Sequence, residues 1–322
     1  MPIMTSFRPT MVPPGRLARV GVVLDTRNPP ERVRTTAAMC DRAGIGALWI
    51  RDDLSALDGE SRLDLRSALS LASSAASRAV IGAAVAIEAR PAATLAALVR
   101  GLGSGDVEIT LTAGGIQEPG PGAPQAMGSA LERYLRTLRE SLQPDAGVHA
   151  PCISIETRTT LEIAVAARSA DGVVLRALDA TDLDAAIADV REACERVERD
   201  PDSLSIAVEV PVSIGRTQAE AEARAHGEAL FEVLGLPSEV GIFGTLEECQ
   251  ERVIELAHAG VRDLRCHLPN NPDIHDVIAQ LTAIAVGTVD VLAPGAPRSR
   301  DPDPPEGWGG RPSQKRPGPV ER

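Results

Sequence analysis

Eight short apolar runs, each followed by a stretch of helical periodicity, constrain this chain more than any other feature. Residues 19–24, 47–50, 80–86, 107–111, 152–155, 172–175, 204–210 and 261–267 read as buried strands. Helical patterns lie between and after them, near 29–43, 63–76, 92–101, 125–142, 159–169, 181–199, 217–233, 246–259 and 273–285. The first carries Pro29 and Pro30 at its start and Gly44 just past its end, the usual asymmetry of helix punctuation. Apolar strands alternating with amphipathic helices imply a parallel sheet covered by helices. Eight such units predict closure into a (β/α)8 barrel of TIM type with short connecting loops. An open doubly wound sheet is the alternative, but no Gly-x-Gly-x-x-Gly follows the first strand.

The 322 residues are 43% hydrophobic, enough for a large core, yet only 2% aromatic, so that core must be built from Ala, Val, Leu and Ile. A net charge of −12 argues against nucleic acid and against an anionic membrane surface as partners. Residues 1–14 lack the apolar run of a signal peptide, and no segment has 18 uninterrupted apolar residues, so a cytoplasmic protein is expected. Five dispersed cysteines without Cys-x-x-Cys spacing fit reduced thiols, and no metal site is expected. Residues 1–15 and the Pro/Gly/Arg-rich stretch 291–322 are expected to be disordered, flanking a barrel over 16–290.

In a (β/α)8 barrel the chemistry sits at the carboxyl ends of the strands. The segments to inspect are therefore 25–28, 51–53, 83–86, 112–117, 156–158, Arg176, 211–214 and 267–270. Thr245 and Glu248 have the spacing of a capping box, and a helix start of that kind offers amide groups to an anion. The same spacing is also met where a surface helix is merely capped.

Four segments carry a resemblance. They are Ala43-Gly44-Ile45-Gly46-Ala47-Leu48-Trp49-Ile50-Arg51-Asp52-Asp53-Leu54, then Ala166-Ala167-Arg168-Ser169-Ala170-Asp171-Gly172-Val173-Val174. Next comes Arg199-Asp200-Pro201-Asp202-Ser203-Leu204 with Thr217-Gln218-Ala219-Glu220-Ala221, and last residues 243–268. In this order, over roughly residues 19–286, the chain resembles the luciferase-like flavin- or F420-dependent oxidoreductases. The resemblance implies a TIM-like barrel holding FMN or F420 in its mouth, and a small organic substrate. It implies a ring lying against Ala83 and Ala84, where relatives often have a cis bond, with Thr112 on the neighbouring strand tip. It implies a cofactor phosphate held near Glu156, Thr157, Arg158, Arg176, Gly244 and Thr245. Asp53, with Asp52 beside it, falls where F420 enzymes of the family carry histidine, and is the acid–base candidate; Glu108 and Glu118 are weaker ones.

Other departures matter too. An ionised Asp donates no proton, so Asp53 would act only if burial raised its pKa. Thr157 replaces a glycine and would crowd a phosphate approaching the backbone. The segment 54–63 and the bridge 142–149, which holds His149, are short, leaving the mouth less covered. These features support a second reading, a degenerate member serving as a binding partner. Dimerisation, as a homodimer or with an active paralogue, is expected from the resemblance alone.

Overall fold

The computed structural model describes residues 17, 19–52, 63–102, 107–113, 123–142, 150–176, 178–228, 231, 234–270 and 274–291. The elements in chain order are β1 (Arg19–Leu24), α1 (Pro30–Ala43), β2 (Ala47–Arg51), α2 (Leu65–Ala75), β3 (Val80–Ala86), α3 (Ala92–Arg100) and β4 (Val107–Thr112). Then follow α4 (Ala123–Ser141), β5 (Cys152–Glu156), α5 (Thr160–Ser169), β6 (Gly172–Arg176), α6 (Ala180–Arg196), β7 (Ser205–Ile214) and α7 (Gln218–Ala225). The chain continues through α8 (Pro237–Val240), β8 (Ile242–Gly244), α9 (Leu246–Ala259), β9 (Asp263–His267) and α10 (Ile274–Val291).

Local chemistry accounts for the boundaries. Proline stands in the first turn of α1, where a missing N–H leaves nothing unpaired, and Gly44 ends that helix at φ +86° with its N–H bonded to the carbonyls of Asp41 and Cys40. Side-chain caps start α2 (Asp64), α5 (Thr159), α6 (Asp179), α7 (Thr217) and α9 (Thr245). Helix α6 stops at Arg196 rather than at 199, because Glu198 takes a positive φ of 56° and turns the chain toward β7.

Every strand pairing is parallel. β1 pairs with β2 and β9, β2 with β3, β3 with β4, β4 with β5, β5 with β6, β6 with β7 and β7 with β9. Pairing thus returns to β1, and the sheet is a closed eight-stranded barrel rather than an open one. One strand was not foreseen. β7 runs four residues beyond the expected end at Val210, through Pro211, and its tip Val212–Ile214 pairs with β8. Pro211 is tolerated because a proline forfeits only one ladder donor, and the residues beyond it find a new partner strand.

Alternate strand residues face opposite sides of the sheet. One set, including Val22, Ile50, Ala83, Val85, Ile109, Ile155, Leu175, Val208 and Cys266, packs with the helices in the main apolar core. The other set faces the barrel interior, where Val23, Ala47 and Trp49 form a small separate cluster. Elsewhere the small side chains of Ala84, Ala86, Val174 and Ala207 alternate with charged and hydroxyl groups in stacked layers. Nearest the amino ends, the Arg19 guanidinium grips both Glu108 oxygens (2.8 and 2.7 Å) and Asp263 (2.9 Å). Burial alone would lower the Arg19 pKa, but these two carboxylates raise it. In the middle, the guanidinium of wholly buried Arg265 lies 3.3 Å from the centre of the Trp49 ring and donates to Thr110 Oγ1 at 2.7 Å. Burial pushes Arg265 down to about 10, with Glu209, Glu108 and Asp263 opposing. A desolvated cation over an indole face is worth about 2 kcal/mol.

Space for that indole comes from glycine. A Cβ on Gly82 would stand 2.2 Å from the Trp49 ring. Gly82→Ala is therefore expected to lose about 1–3 kcal/mol by overpacking, read as a lowered urea midpoint with altered Trp49 emission. An unchanged midpoint would show that the ring has room elsewhere.

Candidate functional site

The third interior layer forms the floor of the barrel's carboxyl end. Arg51, Glu156, Arg176 and His267 are the last residues of β2, β5, β6 and β9, and Glu209 on the longer β7 pairs in register with Arg176. Register and parity alone bring them together, since each faces inward at the same level of the barrel. Arg51 bridges the layer: Nη2 donates to Glu156 Oε2 at 2.7 Å and Nη1 to Glu209 Oε1 at 2.7 Å. Arg158 donates to Glu156 Oε1 at 2.9 Å, and Arg176 lies 3.4 Å from that oxygen. His267 Nε2 stands 2.8 Å from Glu209 Oε1. Side-chain exposure is 1% or less for Arg51, Glu156, Glu209 and His267.

Burial pushes both carboxyls toward protonation, and their partners overcome it. For Glu209 those partners are Arg51, the His267 bond and Arg176; for Glu156 they are Arg51, Arg176 and Arg158, against repulsion from Glu209. Both carboxyls are held below the usual carboxylate range. Burial lowers Arg176, partly offset by Glu156. Three guanidinium groups meet two carboxylates here, so the floor favours an incoming anion.

Open valences remain. Thr112 Oγ1, Thr157 Oγ1 and Glu209 Oε2 are buried without a hydrogen-bond partner among the described residues. Inward-facing Ala84, in register with Arg51 and Thr110, and Ala86, in register with Thr112, give a small-side-chain wall beside these groups. A separate cavity of about 20 Å³ beside Asp25, Asn28, Thr36 and Asn270 has the size of a single water.

The expected residues fall out unevenly. Glu156, Arg158, Arg176 and Thr112 lie in or beside the floor, with Thr157 at the end of β5. Ala83 turns its side chain to the helices, so of the alanine pair only Ala84 presents a side chain to the interior. No cis peptide bond occurs among the described residues. Asp52 does not face an ionised neighbour on the floor: Arg90 holds it, with Nε on Oδ2 at 2.6 Å and Nη2 on Oδ1 at 3.4 Å, and Tyr134 anchors the Arg90 carbonyl at 2.8 Å. Glu108 lies at the opposite end of the barrel, committed to Arg19. Asp53, Glu118 and His149 lie outside the described residues.

The helix start at Gly244 and Thr245 has a different occupant from the one expected. The capping box forms, and Glu248 Oε2 accepts the Thr245 N–H at 2.8 Å. Gly244, at φ +119°, lies so near that a Cβ there would meet Glu248 Oε2 at 2.3 Å. The same device recurs twice: Glu162 accepts the N–H groups of Arg158 and Thr159 (2.6 and 2.9 Å), and Glu220 that of Arg216 (3.0 Å). Three helix starts are thus filled by the chain's own carboxylates. A phosphate brought to any of them would meet a negative charge.

Sequence reasoning passed over Glu209, and reached His267 only as part of the strand-end segment 267–270, with no role given to it. The available signal was a lone glutamate inside the run 206–212, which is otherwise apolar on both faces; such a group persists only when paired. Among the described residues, no cluster of three or more His, Cys, Asp or Glu is placed to hold a metal, and no helix is long and apolar enough to cross a membrane.

Breaking the floor is expected to be costly. Glu156→Gln leaves Arg51 short of a charged partner and should lose about 3–5 kcal/mol in urea unfolding. Because folding lowers both carboxyl pKa values, their contribution is complete above the unfolded-state value of about 4.3 and drains away as pH falls. The unfolding midpoint should therefore drop steeply below roughly pH 5, and Glu209→Gln should flatten that slope.

Residues 127–235 match the family model of the luciferase-like monooxygenases. No curated protein matches the chain. Among solved structures it is similar to a coenzyme F420-dependent tetrahydromethanopterin reductase from Methanopyrus kandleri, with TM-score 0.67 and 15% identity over 84% of this chain and 99% of that one. An F420-dependent secondary alcohol dehydrogenase in complex with an F420–acetone adduct gives 0.69 and 12% over 84% and 99%. A long-chain alkane monooxygenase gives 0.66 and 12% over 84% and 92%. The chain is thus similar to the luciferase-like monooxygenases in sequence over residues 127–235, and it shares its barrel fold with these solved structures.

Proposed function

We propose that the protein is a flavin- or F420-dependent oxidoreductase of the luciferase-like type, acting on a small organic molecule. The observation that carries this reading is the floor of the mouth: a cation-rich polar layer with the Thr112 hydroxyl at the end of β4, buried and without a partner among the described residues, beside a wall of alanines. A buried hydroxyl left unpaired is costly, and the polar edge of a flat heterocycle would supply its partner. The donor set fits a phosphate-bearing flavin or deazaflavin. Arg158 and Arg176 would hold the phosphate through charge-assisted bonds. Thr112 would meet a polar atom of the cofactor, and Ala84 would give the ring room. Such a cofactor supplies hydride or oxygen chemistry when bound; the barrel orients it and limits access of water. Solved structures similar in fold include two with F420 in their names and a riboflavin lyase with modified FMN, so the reading keeps both cofactors.

The second reading, a non-catalytic binding partner, draws on the three self-capped helix starts, which remove expected phosphate sites. Fluorescence titration of FMN, riboflavin and F420 separates the two. Micromolar binding of FMN or F420 is expected. Arg158→Ala should weaken FMN about 10-fold, or ~1.4 kcal/mol, and leave riboflavin unchanged, because only FMN carries the phosphate. Binding of none of the three would leave the partner reading standing.

A further inference from the structure

We propose that His267, fixed by Glu209, is the proton-exchanging group of the barrel mouth, in the place the sequence reading gave to Asp53 and Asp52. The proposal rests on the function above only for the identity of the molecule that would exchange the proton. His267 ends β9, at the rim where a barrel of this kind does its chemistry. Its Nε2 is 2.8 Å from Glu209 Oε1, the oxygen that also accepts from Arg51 at 2.7 Å. Arg51 and the His267 contact keep the Glu209 carboxyl ionised despite complete burial. An ionised carboxylate only accepts, so Nε2 must carry the proton of the neutral ring. Nδ1 is then the nitrogen that takes up or gives up a proton, and it has no hydrogen-bond partner among the described residues.

The groups around the pair come from four strands. Arg51 on β2, Glu156 on β5, Arg176 on β6 and Arg265 on β9 stand around Glu209. Asp52 is the weaker candidate on the same footing, with both its oxygens on Arg90.

Nitrogen-15 imidazole spectra of the whole chain test the proposal. Only five histidines are present, and His267 is assigned by its loss in His267→Gln or through bonds from Cys266. The Nε2–H tautomer is expected in the wild-type protein, with relaxation of that preference in Glu209→Gln. Addition of FMN and F420 in turn should then move the Nδ1 resonance with whichever one binds. A structural histidine would show no such response. An Nδ1–H tautomer in the cofactor-free protein overturns the proposal, and so does an Nδ1 signal that a bound cofactor leaves unmoved. Failure of both cofactors to bind counts against the proposed function instead. The cofactor-free wild-type spectrum decides the tautomer in every case, even where a variant does not fold.

Discussion

Arg51 is the keystone of the carboxyl end of the barrel. Its guanidinium reaches from β2 across the interior to Glu156 on β5 and Glu209 on β7, strands that do not neighbour β2 in the sheet. Hydrogen bonds around a closed sheet fix each strand only to its two neighbours. A fork with two donor edges ties opposite walls together and sets the width of the floor. Lysine would carry the same charge but lacks the planar fork that serves two carboxylates at once. Glu209 then fixes His267, and Glu156 gathers Arg158 and Arg176, so every charged group of the candidate site is positioned directly or at one remove by this side chain.

The interior beneath it is unusual for the fold. Barrels of this class commonly fill their centre with layers of bulky branched residues. Here most of the aliphatic residues lie between strands and helices, and the centre is held by ionic groups at both ends with a Trp49–Arg265 stack between. Such packing is demanding. Each charge must be paired, and each long side chain needs a small neighbour opposite, as Trp49 needs Gly82. An ionic interior returns less net stability than an apolar one, but it fixes each side chain in one orientation, a useful property beneath a binding surface.

Periodicity made the barrel legible, because strand and helix patterns repeat on different spacings and the core depends on those patterns alone. The capping box at Thr245 was legible for the same local reason. What it does was not: the spacing that announces a helix start also supplies the Glu248 carboxylate that fills it. The floor was harder to read. Arg51, Glu156, Arg176, Glu209 and His267 are spread over more than two hundred positions, and their meeting depends on barrel closure and strand parity together. Parity also separates Ala83 from Ala84, which the sequence presents as equivalent neighbours. Asp52 looked available because its partner Arg90 lies 38 positions away, on the loop after β3.

The self-capped helix starts bear on how such a site would hold an anion. In many α/β proteins amide groups at a helix terminus do this work, through a rigid cradle that is insensitive to side-chain substitution. With Glu162, Glu220 and Glu248 occupying three of those positions, the proposed site falls back on guanidinium groups, of which Arg158 is a third exposed and Arg176 nearly buried. Anchoring by side chains has two physical consequences. Affinity responds to salt more at the exposed arginine than at the buried one, because mobile ions screen only what they can approach. The anion also becomes coupled to the floor, since both arginines share Glu156 with Arg51. A phosphate drawing either guanidinium away from Glu156 would leave that carboxylate more dependent on Arg51, and so alter the balance of charge around Glu209 and His267. Binding at the rim and protonation at the floor are in this way linked through one carboxylate, without any movement of the backbone.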